Sequence, residues 1–216
     1  MVEMKKSYTF TTVDDSGKEV KVDLSDLFAG RRQLIIYHFM LDPSWEAGCV
    51  GCCLIGDSLH ALEHLNSRDT TLVCVSRAPI EKLIAFKKRM GWTFPWVSSY
   101  GTDFNYDFHV TQDSAVAPVE YNYRDEAEME KRGASAKPTK GELPGLSCFI
   151  KGDGKGIGEV GKIYHTYSAY ARGLERTSGY FGWLDFTLLG RQDDEKGRGI
   201  IARRDEYTPE QLKGTA

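Results

Sequence analysis

The sequence predicts an α/β fold of three layers, helix on sheet on helix, around a central mixed sheet. Three features carry that expectation: the apolar run Leu34-Ile35-Ile36-Tyr37-His38-Phe39-Met40, an alternation of strand-like and helix-like segments after it, and a late pair of strands joined by a glycine-rich turn. A nearly unbroken apolar run suits a strand buried on both faces, which helices on both sides of a parallel sheet provide. The 216 residues, 41% hydrophobic, suffice for one elaborated domain over residues 1–190, with an insertion at about 112–142 and a charged tail at 191–216.

In chain order, Tyr8-Thr9-Phe10-Thr11 and Lys18–Val22 flank the turn sequence Asp14-Asp15-Ser16-Gly17 and make an N-terminal hairpin. Leu34–Met40 is the central strand. The loop Leu41–Gly48 leads to Cys49, and a helix is expected from there to about Leu65, with Cys52, Ile55, Leu59 and Leu62 on one face. Asp69–Arg77 reads as a second buried strand, and Pro79 opens a helix to about Met90 whose apolar residues are Ile80, Leu83, Ile84 and Phe86. A short strand at Trp96–Ser98 and an aromatic loop at Phe104–Phe108 follow. Gln112–Glu142 is polar, with Pro118, Pro138 and the charges of Arg124–Arg132, and reads as an inserted excursion with little core, the segment expected to move most.

Leu146–Lys151 and Gly161–Tyr167 form a hairpin across Gly152-Asp153-Gly154-Lys155-Gly156. An aromatic helix is expected over about Ser168–Leu189, and the charged residues from Arg191 onward read as a surface tail. Strand-helix-strand-helix-strand followed by strand-strand-helix, joined by right-handed crossovers, is the thioredoxin arrangement with an added hairpin and insertion.

A formal net charge of -3, from 28 basic and 31 acidic residues, gives no field that would concentrate nucleic acid or anionic lipid. The start, Met1-Val2-Glu3-Met4-Lys5-Lys6, has no apolar signal core, and no apolar run approaches the roughly 20 residues that span a bilayer, so a cytoplasmic location is expected. The five cysteines, Cys49, Cys52, Cys53, Cys74 and Cys148, are too few and too uneven for a secreted disulfide scaffold.

Chemistry concentrates at Cys49-Val50-Gly51-Cys52. A cysteine just before a first helical turn meets unpaired backbone N–H groups and the positive end of the helix dipole, which favour thiolate. Cys52 lies one turn further along the same face, within reach of a mixed disulfide at Cys49. Cys53 shares its helical face with Asp57, His60 and His64 and is expected to point to solvent. Arg77 and Pro144, at strand ends, are expected near Cys49, the guanidinium lowering the thiol pKa while Glu46 opposes it. A zinc site needs two more ligands, and neither Cys74 nor Cys148 has a partner cysteine nearby.

Other signals are weaker. Gly156-Ile157-Gly158-Glu159-Val160-Gly161 fits a phosphate-binding pattern but is followed by the strand-like Ile163–Tyr167 where a helix is required. Trp45, Trp92, Trp96 and His165 are candidates for lining a substrate groove, although such aromatic density more often marks a core. His38, inside the apolar strand, reads as a hydrogen-bonded structural histidine, and His165 is the better functional outsider.

These segments resemble a large bacterial family of thioredoxin-like proteins described as domain of unknown function 899. The resemblance covers nearly the whole chain and is carried by Arg32–Met40, the cysteine segment, Arg68–Val73, Ser76-Arg77-Ala78-Pro79, Met90–Ser99, Asp103–Phe108 and Tyr164-His165-Thr166-Tyr167-Ser168. That family is similar to the alkyl hydroperoxide reductase and thiol-specific antioxidant group, which implies the same fold while leaving the substrate open. Pro144-Gly145-Leu146-Ser147-Cys148-Phe149 resembles the segment after the cis-proline of thioredoxins, and the resemblance implies for Pro144 a place against an active-site disulfide. Gly48 stands where thioredoxins carry Trp, Val50-Gly51 replaces Gly-Pro, and Glu46 stands where peroxiredoxins carry Thr.

The leading expectation is a thiol–disulfide oxidoreductase without a cofactor, acting on a protein or small-molecule disulfide, with Cys49 as nucleophile, Cys52 as resolver and Cys53 as bystander. The rivals are a peroxiredoxin-like thiol peroxidase, in which Cys52 or Cys53 resolves a sulfenic acid, and a redox-inactive thioredoxin-fold binding protein. A homodimer follows if a large aromatic surface is exposed.

Overall fold

The computed structural model of the chain describes residues 1–121, 124–131, 141–188 and 202–209. Its strands are β1 (Val2–Glu3), β2 (Thr9–Val13), β3 (Glu19–Asp23), β4 (Gln33–His38), β5 (Thr70–Ser76), β6 (Trp96–Ser98), β7 (Thr111–Gln112), β8 (Glu120–Tyr121), β9 (Arg124–Asp125), β10 (Gly141–Glu142), β11 (Gly145–Lys151) and β12 (Ile163–Tyr170). The helices are α1 (Val50–Gly56), α2 (Glu63–Asn66), α3 (Ile80–Met90), α4 (Phe104–Asp107), α5 (Glu126–Glu130) and α6 (Gly179–Leu184), with 3-10 turns at Asp26–Phe28 and Ala171–Thr177.

Eight strands form one mixed sheet in the order β1-β12-β11-β4-β5-β6-β2-β3. β4, β5 and β6 run parallel, and β11 lies antiparallel to both β4 and β12. The four strands β12-β11-β4-β5 with helices packed on the sheet are the thioredoxin arrangement. Hydrogen bonds on both edges fix β4, so its side chains alternate strictly between faces. Tyr37 joins a core with Phe39, Cys52, Cys74, Leu83, Phe86 and Trp96, under α1 and α3. Leu34 and Ile36 join a second core with Phe10, Phe28, Val73, Val75, Phe104 and Phe108. Each such fully buried Phe or Leu stabilises the fold by roughly 1.5–3 kcal/mol.

The expected hairpin is β2–β3, closed by Asp14, whose carboxylate accepts from the Ser16 and Lys18 backbone N–H groups at 2.9 and 3.0 Å. Several expectations are corrected. The helix foreseen to Leu65 stops at Gly56, because Asp57 turns to accept from the Trp92 indole at 2.8 Å and the segment resumes only as α2. Ile84 of α3 is exposed, whereas Ile80, Leu83 and Phe86 are buried. Phe104–Asp107 coils into α4, and Val2–Glu3 adds an edge strand beside β12. The stretch read as a helix from Ser168 continues as β12 to Tyr170 before the 3-10 turn.

The polar insertion contributes two small ladders, β7–β10 and β8–β9, and buries Val119 and Met129; its residues 132–140 lie outside the described residues. Of the tail, 191–201 and 210–216 also lie outside them, but 202–209 is no free surface segment. Arg89 pairs with Asp205 at 2.8 Å and Glu206 at 2.7 Å, drawing this stretch onto α3. Among the described residues no helix is long and apolar enough to cross a membrane.

On the second face His38 is buried against the rings of Phe104 and Phe108, and desolvation lowers its pKa to about 3 from an ordinary value near 6.5. Above pH 6.5 the ring is neutral folded or unfolded. As pH falls through that value the unfolded chain takes up a proton that the folded chain refuses, so stability is lost until about pH 3. Unfolding free energy should therefore fall more steeply over this window in the native protein than in His38→Gln, the difference approaching about 1.4 kcal/mol per pH unit for one proton. Urea titrations at stepped pH measure it, and equal slopes would mean that His38 titrates alike in both states.

Candidate active site

The loop after β4 is shaped by its own polar groups. Asp42 accepts from the Ser44 N–H at 2.8 Å and the Ser44 hydroxyl at 2.7 Å, and Cys49 N–H returns to the Met40 carbonyl at 3.1 Å. Gly48 is required by close approach: a Cβ there would stand 2.5 Å from a Phe39 ring carbon and 2.9 Å from one of Phe86. Its carbonyl accepts from Arg203 Nε at 3.1 Å and Nη2 at 2.6 Å. Cys49, held on both sides, is the N-cap of α1 with extended backbone, and its carbonyl accepts the first helical hydrogen bond from Cys53 at 3.0 Å.

The two thiols of the pair differ in environment. Cys49 is half-buried and Cys52 fully buried. The Cys52 sulfur accepts from the Met40 N–H at 3.4 Å and shares a cavity with Cys49. Desolvation first, then the neighbouring Cys49 thiol and its charge, push the Cys52 thiol pKa well above its ordinary value. Tyr37 stands beneath it: among the described residues the buried hydroxyl makes no hydrogen bond of ordinary geometry, and the leading polar group it interacts with is the Cys52 sulfur. Desolvation keeps this phenol protonated well above its usual range.

A cavity of about 170 Å³ opens on the pair, lined by Cys49, Cys52, Tyr37, Pro144, Leu174 and Phe181 among others. The 3-10 turn Ala171–Thr177 and α6 thus form one wall, and among the described residues the buried Ser178 hydroxyl between them has no hydrogen-bond partner. A small, mostly apolar pocket with a thiol pair at its base can desolvate a reacting sulfur while excluding bulk water.

The residues singled out in the sequence divide. Cys49, Cys52 and Pro144 come together around this cavity, and the peptide bond before Pro144 is trans, as are all described peptide bonds, so the cis-proline resemblance does not extend to backbone geometry. Cys53 does not face solvent; it is buried, because α1 ends before the polar positions that defined its supposed outer face and Arg203 covers it. Burial pushes the Cys53 thiol up to about 12 against the lowering effect of Arg203. Arg77 is engaged by two carboxylates, donating to Asp42 and, at 2.7 Å, to Glu142. Glu46 points into water, with Lys82 3.7 Å away.

The groove assignment fails for all four residues. Trp92 and Trp96 are core, their indole N–H groups donating to Asp57 at 2.8 Å and Ser76 at 3.0 Å, and Trp45 packs part-buried against the same core. His165 contacts Phe108 and Phe149 of the second core, on the other face of the sheet. Cys74 and Cys148 lie in strands, with burial raising both thiols. Among the described residues no group of three His, Cys, Asp or Glu side chains is arranged to hold a metal ion. Sequence reasoning missed Tyr37, which alternation along β4 could have placed beside Cys52, and Arg203, for which no sequence signal existed.

A family model described as bacterial protein of unknown function (DUF899) matches residues 1–207. No curated protein matches the sequence. Among solved structures the chain is similar to the bacterioferritin comigratory protein of Xanthomonas campestris, at 16% identity, 82% of this chain, 89% of that one and a TM-score of 0.46. It is also similar to peroxidoxin BcpB of Mycobacterium tuberculosis, at 10% identity, 83% and 96% coverage and 0.44, and to PrxQ of Xylella fastidiosa, at 14%, 82% and 89%, and 0.45.

Gly48→Ala tests whether the loop carrying Cys49 is pressed onto the core as described. The added methyl has to displace two phenylalanine rings, and overpacking of this kind destabilises by about 1–3 kcal/mol. Urea unfolding midpoints report the loss; native stability would mean that the loop has room to spare.

Proposed function

The chain belongs to the DUF899 family, and we propose that it is a thiol–disulfide oxidoreductase in which Cys49 attacks and Cys52 resolves. The observation that carries this reading is that the two thiols line one small cavity with unequal burial. The buried partner keeps its proton, leaving the more accessible sulfur free to act as nucleophile.

In the first step the Cys49 thiolate forms a bond to one sulfur of a substrate disulfide, whose S–S bond breaks and releases a thiolate. In the second, Cys52 loses its proton and attacks the Cys49 sulfur, the substrate's remaining sulfur departs as thiolate, and the protein is left with a Cys49–Cys52 disulfide, its two electrons now carried by the two substrate thiolates. The order is built into the electrostatics. Two of the causes that keep Cys52 protonated, the neighbouring Cys49 thiol and the Cys49 charge, vanish once Cys49 is tied up in a mixed disulfide, so Cys52 becomes the stronger acid when it is needed. An external dithiol returns the pair to its reduced state.

The size of the cavity favours a second reading beside the first. About 170 Å³ with an apolar wall admits a small organic peroxide as readily as a small disulfide. Cys49 would then break the O–O bond, taking the hydroxyl as sulfenic acid while the alcohol leaves, and Cys52 would displace water to give the same disulfide.

Cys52→Ser should stop the cycle after the first step and accumulate a stable mixed disulfide with the aryl disulfide 5,5′-dithiobis(2-nitrobenzoate), whereas Cys49→Ser should abolish reaction at this site. Mass spectrometry of the intact adduct and stopped-flow release of the thiobenzoate measure both. A Cys52→Ser protein that turns over at the native rate, or a Cys49→Ser protein that still forms the adduct at Cys52, would contradict the assigned roles. Rapid oxidation of Cys49 by an alkyl peroxide with no reaction toward the disulfide would select the peroxidase reading.

A further inference from the structure

The segment Tyr164-His165-Thr166-Tyr167-Ser168 takes no part in the thiol chemistry. In a regular strand, side chains three residues apart point to opposite faces. In β12 they do not: Tyr167 lies opposite Cys148 and His165 opposite Phe149, so Thr166 is an extra residue, a β-bulge. The bulge shifts the phase and brings His165 and Ser168 to one face, with His165 Nε2 2.8 Å from Ser168 Oγ. Ser168 Oγ lies 3.0 Å from Ser147 Oγ, which lies 2.9 Å from Nε2 of the buried His38.

The end of this chain of contacts sets its direction. Among the described residues His38 Nδ1 is buried without a partner, and a neutral ring loses least by leaving a lone pair there and carrying its hydrogen on Nε2. That N–H donates to Ser147, Ser147 donates to Ser168, and Ser168 donates to Nε2 of His165. Burial lowers the His165 pKa, so its ring is neutral near pH 7 and able to accept. Phe108 and Phe149, with centroids 5.7 and 5.4 Å away, hold the imidazole in place. Ser168 forms part of the wall of a cavity of about 780 Å³ that includes Tyr106, His109, Gln112, Tyr121 and Tyr170, a volume suited to a small organic ligand with a flat ring.

We propose that Ser168 is a second nucleophile of this protein, with His165 as its general base, acting on small aryl esters bound in the tyrosine-lined cavity. The serine oxygen bonds to the acyl carbon as its proton passes to His165 Nε2; the ester C–O bond breaks and the departing phenol takes that proton. Water then attacks the acyl-serine, giving a proton to His165, which returns it to the Ser168 oxygen as the carboxylic acid leaves. This activity is independent of Cys49 and Cys52, which lie on the other face of the sheet.

The test uses the full native chain with its thiols blocked by iodoacetamide, because thiolates also cleave aryl esters. A fluorophosphonate probe should label Ser168, identified by peptide mass spectrometry, and 4-nitrophenyl acetate should be hydrolysed above the buffer rate. His165→Gln should slow labelling about a hundredfold, the scale of a general base, and Ser168→Ala should reduce hydrolysis to background. Failure of the probe to reach Ser168 in the native protein, which no folding defect can mimic, or native-rate labelling of His165→Gln, would overturn the proposal.

Discussion

The alternation of side chains along β4 is the constraint from which both sites follow. The strand is hydrogen-bonded to β5 on one edge and β11 on the other, so a shift by one residue would exchange every side chain between the two cores. In the register observed, Tyr37 lies beneath Cys52 and His38 reaches Ser147. Neighbouring residues thus serve opposite faces: one stands against a thiol pair, the other ends a serine–histidine relay.

A second constraint ties the cysteine loop to the insertion. Glu142 is buried and accepts from Arg77 at 2.7 Å, Asn105 at 3.2 Å and Thr111 at 2.9 Å, while Arg77 also donates to Asp42 at the start of the loop. Burial raises the Glu142 pKa and Arg77 opposes that shift, the balance expected where a carboxylate leaves water for fixed donors. Removing one partner of such a pair leaves an uncompensated buried charge, and through Glu142 of β10 the insertion is tied to the cysteine loop. On the far side of the loop Arg203 holds the Gly48 carbonyl, so Cys49 is positioned by residues from both halves of the chain.

Much of this was legible in the sequence because it is local or periodic. The apolar run of β4, the turn chemistry of the first hairpin and the proline before α3 each report on a few neighbouring residues, and so does the placement of Cys49 immediately before a helix. What could not be read depends on long-range packing. Helical phase carried beyond Gly56 puts Cys53 on a solvent face, whereas Trp92 captures Asp57 and ends the helix. Trp92 and Trp96 looked like a groove because an aromatic residue in sequence does not reveal which side is covered. The bulge at Thr166 leaves no signature in composition or periodicity, and without it the pairing of His165 with Ser168 is invisible.

The central claim, that Cys49 and Cys52 form the working pair with Cys53 apart from it, is tested most directly by peptide mapping of disulfides without reduction after one equivalent of oxidant. The account predicts a single Cys49–Cys52 linkage with Cys53 recovered as a free thiol. A Cys49–Cys53 or Cys52–Cys53 linkage, or oxidation that leaves Cys49 free, would contradict it.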